Sequence, residues 1–152
     1  MMIRLGIKNI MAVYETFTLV VLTAVFLPAL FAGTLPEGVQ VPIHFNVAGR
    51  VDGWGDKGSF IELSIVALII YVSFTFLQRR ELRRSNTAYS IMLRLLKLLI
   101  VVTLAYINIT SYAVVKGWAV GLNVLFIWVL VVAMIVVSLY YSILVKIIKK
   151  RI

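Results

Sequence analysis

The only histidine of the chain, His44, lies in a short polar stretch, PIHFNVAGRVDGWGDKG, at residues 42–58. Asp52 and Asp56 follow it, so the stretch offers one imidazole and two carboxylates, which are ligand types for a zinc ion. An imidazole oriented by one of these carboxylates is also the arrangement of a general base. The structural alternative is that His44 hydrogen-bonds the loop backbone while Asp52 fixes a turn. The stretch has no recognised ligand spacing and no evident nucleophile. The sequence therefore leaves a metal site at His44, Asp52 and Asp56 open as the weaker alternative, indicates no particular cofactor, and does not favour an enzyme.

The same stretch supplies the candidate binding residues. We expect five of its side chains to form a recognition surface: His44, Asn46, Asp52, Trp54 and Lys57. Apolar residues alternate along VQVPIHFNV, which predicts an extended segment with His44 and Asn46 on one face. The following VDGW predicts a turn, and Phe45 and Trp54 are apolar enough to dock the loop onto its neighbours.

Most of the chain around this stretch is apolar. The 152 residues are 62% hydrophobic, against roughly 45–50% in soluble domains, and the mean hydropathy is +1.06. This composition indicates an integral membrane protein, and the absence of cysteine excludes disulfides and thiolate ligands. The net charge of +9 comes from basic residues at the ends of apolar runs. Membrane topology explains that placement, so we expect the lipid bilayer as a partner and no nucleic acid.

Four apolar runs are long enough to cross a bilayer, which requires about 20 residues in a helix. They predict helices at about 11–32, 59–77, 93–115 and 119–145, with an outer loop at 33–58. In lipid each span must pair its own backbone groups, which only a helix does within one segment. The fold class is therefore an all-α integral membrane protein, an antiparallel bundle of four transmembrane helices. Residues 1–152 form a single membrane domain whose first two helices are joined by an ordered extracytoplasmic loop.

The ends of the spans carry finer signals. The RRELRR segment continues the second helix, and Ser85, Asn86 or Thr87 is expected to cap the third helix. The VKGWAVG segment predicts a tight turn between the third and fourth helices. Twelve of the fifteen basic residues fall on one side of the predicted membrane, and the exceptions are Arg50, Lys57 and Lys116. The positive-inside rule therefore places both termini in the cytoplasm and the His44 loop outside, in a multi-pass protein of the cytoplasmic membrane.

Polar residues within the spans need partners, because a charge or amide in hydrocarbon is costly. Glu15 lies near the inner start of the first helix, and we expect it to pair with Lys97 or Arg94 of the third. Glu62 lies near the outer start of the second helix, and three loop residues are candidate partners: Lys57, Arg50 and His44. The sequence leaves open whether these acids form a relay or ion path, or salt bridges that hold helices together.

The third helix is the most polar of the four. Asn108, Ser111 and Tyr112 share one face by their spacing. We expect this face to turn toward neighbouring helices, where amides and hydroxyls find partners, and to line a small cavity beneath the outer loop.

The run LPEGVQVPIHFNVAGRVDGWGDK, at residues 35–57, resembles the signature of a prokaryotic membrane family of unknown function. Its best-known relatives are the immunity proteins against the sporulation-delaying protein (Sdp) toxin. The matching positions are Leu35, Pro36, Pro42, His44, Phe45, Asn46, Gly49, Asp52, Gly53, Trp54 and Lys57. The resemblance implies a multi-span bacterial or archaeal membrane protein with this loop outside. For the immunity members it implies toxin neutralisation and signalling to a repressor, and those proteins have further spans and a second polar signature that these 152 residues lack.

These observations favour a membrane-embedded binding or sensing module, like the immunity proteins. Its outer loop is expected to recognise a peptide, a lipid or another membrane protein. One alternative is a small transporter or channel component, which needs a homo-oligomer because four spans enclose little pore. The other is a lipid-modifying membrane enzyme that uses His44.

Overall fold

The computed structural model describes residues 2–84 and 86–151, and the side chains of 11–84, 86–145 and 147. In chain order the elements are α1 (Met2–Phe31), a 3-10 turn (Ala32–Thr34), β1 (Val41–Phe45), β2 (Val51–Gly55), α2 (Ser59–Arg83), α3 (Thr87–Val115) and α4 (Val124–Arg151). The predicted number of spans is confirmed, since all four helices are long and apolar enough to cross a membrane. The predicted loop is a two-stranded hairpin.

Contacts at two levels fix the directions of the first three helices. At one level Glu15 of α1 contacts Tyr71 of α2 and Lys97 of α3. At the other level Val25 of α1 contacts Ser64 and Asn108. From the first level to the second, residue numbers increase along α1 and α3 and decrease along α2. Helix α2 therefore runs antiparallel to both.

The core of the bundle lies between α1, α2 and α3. Its buried members are Leu22, Val25, Ala67, Val101 and Ala105. Alanines from two helices at the same contact let the backbones approach closely, which is how membrane helices gain van der Waals packing without a hydrophobic driving force. The three helices contact each other pairwise, and this trio carries both polar levels described below.

Helix α4 packs chiefly on α3. Two aromatic pairs mark the contact: Tyr106 with Phe126 at 4.7 Å between ring centroids, and Tyr89 with Tyr141 at 5.2 Å. These pairs show that α4 runs antiparallel to α3. Most of the large apolar side chains of α4 are exposed on the surface of the single chain.

The structure confirms two of the predicted helix ends and corrects a third. The second helix continues through RRELR to Arg83, as predicted, and Asn86 caps α3 by accepting a hydrogen bond from the N–H of Tyr89 at 3.3 Å. Ser85, the other polar candidate just before α3, lies outside the described residues. The start of α4 near residue 119 was wrong, because α4 begins at Val124. The connection is longer than a tight turn because the backbone around Gly121 pairs with the hairpin instead of continuing as helix.

The hairpin also corrects the predicted turn. The VDGWG segment forms β2, which pairs antiparallel with β1. The turn lies earlier, at residues 46–50, where the N–H of Gly49 donates to the carbonyl of Asn46 and the N–H of Asn46 donates to the carbonyl of Arg50. Gly49 has φ of 77° there, a left-handed conformation that glycine adopts without steric cost. Irregular register at His44 breaks the strict alternation that the sequence predicted for this strand.

The hairpin is docked on the helices at both of its ends. Val41 is fully buried in a second core cluster with Ala32, Leu35 and Phe60. At the turn, the N–H of Leu122 donates to the carbonyl of Gly49 at 2.8 Å, so the α3–α4 connection pairs with the hairpin. Docking therefore rests on Val41 and the turn backbone, while Trp54 remains half exposed.

Substitution of Gly121 tests this docking. A Cβ on Gly121 would collide with the carbonyl oxygen of Gly49, whereas the environment of Gly33 is open. Gly121→Ala should destabilise the protein by about 1–3 kcal/mol, the usual cost of overpacking. For a chain of this size that lowers the thermal midpoint in detergent by roughly 2–4 °C per kcal/mol. Gly33→Ala is the control, and equal midpoints for the two variants would show that the hairpin is not held at Gly121.

Candidate functional site

A cavity of about 300 Å³ lies between the hairpin and the neighbouring ends of α2 and α3, and we call it the hairpin recess. Its lining residues are Pro42, Ile43, Ser59, Phe60, Glu62, Leu63, Val66, Ile107, Asn108 and Ser111. The walls are mostly apolar, and the polar groups are two hydroxyls, one amide and one carboxylate. Its volume is at the lower end of the range for small-molecule sites. The expected cavity beneath the loop, lined by the polar face of α3, is therefore present.

Asn108 holds three helices together at one edge of the recess. Its Nδ2 lies 2.8 Å from the carbonyl oxygen of Val25, 3.2 Å from that of Phe60 and 3.3 Å from Ser64 Oγ, and its two N–H groups are shared among these three acceptors. The hydroxyl of Ser64 also lies 3.0 Å from the Val25 carbonyl. The Val25 carbonyl of α1 therefore accepts from side chains of both α2 and α3.

Three side chains of the recess have polar atoms that make no hydrogen bond or ion pair within the described part of the chain. The amide of Asn108 is oriented by three oxygens around Nδ2, so Oδ1 is the atom left to offer to the cavity. Ser111 is only 3% exposed, and its hydroxyl makes no hydrogen bond to the described residues. Glu62 likewise has no cation within ion-pair distance there. These groups line the recess, so the recess presents hydrogen-bonding capacity that the described chain does not use.

The predicted partners of Glu62 were wrong. None of Lys57, Arg50 and His44 forms an ion pair with it in the described part of the chain. Glu62 lies in the first turn of α2, and its side chain is exposed. The positive end of the helix dipole favours a carboxylate at that position without a neighbouring cation.

On the outer face of the hairpin, the structure brings His44 and Asp52 together. His44 Nδ1 lies 2.5 Å from Asp52 Oδ1, with side-chain exposures of 70% and 41%. Asp56 does not join them, because its carboxylate accepts a hydrogen bond from the N–H of Gly58 just before α2. Within residues 2–84 and 86–151, no group of three histidine or carboxylate side chains is placed to hold a metal. The three candidate ligands therefore do not assemble into one site.

The remaining candidate loop residues have different roles. The side-chain oxygen of Asn46 accepts from the N–H groups of Ala48 and Arg50, at 2.9 and 3.1 Å, so it stabilises the turn. Trp54 lies opposite Pro42 across the hairpin and is half exposed. Lys57 is partly buried in the short connection between β2 and α2.

The second polar cluster surrounds Glu15, and we call it the Glu15 cluster. Lys97 Nζ is fully buried and lies 2.7 Å from Glu15 Oε1, which confirms the predicted pair. Arg94 lies 3.7 Å from the other carboxylate oxygen. Tyr71 and Gln78 of α2 also donate to the carboxylate, at 2.7 and 3.3 Å. The Glu15 cluster therefore joins α1, α2 and α3.

Sequence reasoning named the charged members of this cluster and missed its neutral ones. Tyr71, Thr75 and Gln78 recur at helical spacing on α2. Thr75 accepts from Lys97 at 2.9 Å, and Tyr71 and Gln78 donate to Glu15. This polar stripe within an apolar span was the signal that could have identified them.

An apolar layer separates the Glu15 cluster from the hairpin recess. Along α1 the two levels are ten residues apart, from Glu15 to Val25, which is about 15 Å. Between them lie buried apolar side chains, Leu22, Ala67, Val101 and Ala105. The described side chains therefore form two separate polar sites and no continuous polar path.

Comparison with families of proteins finds one matching model, described as a domain of unknown function (DUF1648), over residues 18–72. The match begins in α1, includes the whole hairpin and ends in α2. It is consistent with the predicted membrane family of unknown function. Comparisons with curated proteins and with solved structures give no significant match.

Removing Lys97 tests the Glu15 cluster. Lys97→Met leaves the Glu15 carboxylate without its nearest cation, and breaking such a pair costs about 3 kcal/mol. Adding Glu15→Gln should restore most of that loss, because the unpaired charge is removed. The measurement is the free energy of unfolding in mixed micelles by titration with a denaturing detergent.

A matched control is available at the surface pair Glu81–Arg84, whose atoms are 3.5 Å apart and whose Arg84 side chain is 59% exposed. Arg84→Met should change the unfolding free energy by at most about 1 kcal/mol, because exposed pairs are worth little. If Lys97→Met were as mild as Arg84→Met, the Glu15 cluster would not be a structural junction.

Proposed function

We propose that this protein is a membrane-embedded binding module whose ligand enters the hairpin recess. One observation supports this most directly: Asn108 Oδ1 and the Ser111 hydroxyl adjoin a cavity of about 300 Å³ and have no partner in the described chain. Polar atoms that border a cavity and have no protein partner are available to hydrogen-bond a molecule that enters it. A ligand, which is a peptide, a lipid or a segment of a membrane partner, would supply that pairing.

The proposal includes an orientation. The hairpin lies outside the cytoplasm, and both termini lie inside. The last turns of α2 and the residue after it carry Arg79, Arg80, Arg83 and Arg84, which supports a cytoplasmic position for the connection between α2 and α3. The side chains of six further basic residues that support this orientation lie outside the described set: Arg4, Lys8, Lys146, Lys149, Lys150 and Arg151. The recess then faces the outer leaflet, where a binding module similar to the immunity proteins would meet a toxin or lipid.

The geometry offers less support to the two alternatives. Transport through a single copy would need a polar path, and the apolar layer at Leu22, Ala67 and Val101 interrupts it. For catalysis, the His44–Asp52 pair has the form of an oriented general base. Both side chains are open to solvent on the face of the hairpin, and their only described partners are each other.

Cysteine labelling tests the orientation, because the natural chain contains no cysteine. Val47→Cys, at the 94% exposed tip of the hairpin turn, should react with a membrane-impermeant maleimide in intact cells. Thr87→Cys, at the exposed start of α3, should react only after the cells are permeabilised. The reverse pattern would contradict the proposed orientation.

Filling the recess tests the binding function. Leu63→Trp adds bulk to a recess wall, and Leu95→Trp adds the same bulk to a separate apolar groove between α3 and α4. Native mass spectrometry of the protein released from mild detergent should show a co-purifying ligand mass on the wild type and on Leu95→Trp. Leu63→Trp should lose it while retaining its helical circular dichroism and thermal midpoint. An identical set of bound masses on all three proteins would reject the recess as a binding site.

A further inference from the structure

We propose that the recess binds the ammonium headgroup of an ethanolamine phospholipid from the surrounding leaflet. This inference rests on the proposed function, since it names the ligand of the same recess. It comes from the chemistry of the polar groups there and from the membrane depth at which they lie.

The recess offers hydrogen-bond acceptors and one negative charge. Asn108 Oδ1 can only accept, because the donor side of the amide is engaged by Val25, Phe60 and Ser64. The Glu62 carboxylate also only accepts, and it has no cation partner among the described residues. The hydroxyls of Ser59 and Ser111 adapt to either role. The complementary ligand is therefore rich in donors and positively charged, as a primary ammonium with three N–H groups is.

The position of the recess favours a lipid as the source of that ammonium. Glu62 lies in the first turn of α2, about 5 Å from the end of the span at 1.5 Å per residue, which is headgroup depth. Below it, Leu63 and Val66 line the recess within the same transmembrane helix, and Val66 is 45% exposed on the lipid side. The recess is thus continuous with a surface that acyl chains cover.

The size of the cavity agrees with partial occupancy by a lipid. About 300 Å³ accommodates a headgroup, while two acyl chains would remain outside along α2 and α3. The apolar residues Ile43 and Ile107 would contact the upper part of those chains. A choline headgroup has the same charge and no N–H donor, so it cannot satisfy Asn108 Oδ1 and the Glu62 carboxylate by hydrogen bonds.

The test compares dioleoyl phosphatidylethanolamine with dioleoyl phosphatidylcholine, added to the purified full chain in detergent micelles. Native mass spectrometry at graded lipid concentrations gives the affinity for each. We expect the ethanolamine lipid to bind the wild type at least about tenfold more tightly, since hydrogen bonds to charged groups are the strong ones. Glu62→Gln, which keeps the shape and removes the charge, should reduce that preference about tenfold. Ser111→Ala should reduce it less.

Glu37→Gln is the matched control, because Glu37 is an exposed acid of the loop outside the recess lining. It should retain the wild-type preference. Equal binding of the two lipids to the wild type, or an unchanged preference in Glu62→Gln, would overturn the assignment. The assignment would also be overturned if an apolar peptide with one lysine displaced the co-purifying mass and the ethanolamine lipid did not.

The two proposals fail separately. If Leu63→Trp removes the co-purifying mass while both lipids bind equally, the recess is a binding site and the ethanolamine assignment is wrong. If Leu63→Trp changes neither the co-purifying mass nor the binding of either lipid, the recess is not the site and both proposals are wrong.

Discussion

The Asn108 amide is the interaction on which the outer half of this structure depends. Hydrocarbon offers a polar group no water, so every amide within a span must find its partners in the protein. Asn108 meets that requirement by donating to backbone carbonyls of α1 and α2 and to the Ser64 hydroxyl. These bonds fix the separation of three helices just below the hairpin. The same bonds orient the amide so that its oxygen is left for the recess, and the proposed ligand contact would therefore depend on the side chain that packs the helices.

The Glu15 cluster joins the same three helices at the other end of the bundle, through an ion pair instead of a neutral amide. A buried ammonium and carboxylate are expensive to desolvate, and their pairing is favourable only when further hydrogen bonds complete it. Tyr71, Thr75 and Gln78 complete it here. The apolar layer between the two levels separates the Glu15 cluster, which joins three helices, from the recess, where we propose that a ligand binds.

Much of this fold could be predicted from the sequence because lipid imposes a simple rule on apolar runs. The spans, the Glu15–Lys97 pair and the inward face of Asn108 all follow from the need to satisfy polar groups within a bilayer. The hairpin was harder to predict, because its second strand is rich in glycine and resembles a turn. The contact of Gly49 with the α3–α4 connection joins residues far apart in the chain, and only tertiary packing specifies it.

The candidate site also has parts that could be predicted from the sequence and parts that could not. Residue types identified the His44 loop as the place of most varied chemistry, and the structure places His44 and Asp52 side by side. The residue types alone did not show that Asn46 stabilises a turn or that Asp56 bonds the backbone before α2. They also did not show that Glu62 has no cation partner among the described residues. Those outcomes depend on local backbone geometry. The recess requires the hairpin and two helices together, so only its α3 face was visible in the sequence.

The most direct test of the central claim is a high-resolution structure of the protein in lipid nanodiscs that contain an ethanolamine phospholipid. We expect ligand density in the hairpin recess, with a donor atom within hydrogen-bond distance of Asn108 Oδ1 and the Glu62 carboxylate. A recess closed by the protein itself, with Asn108 Oδ1 hydrogen-bonded to another side chain of this chain, would contradict it.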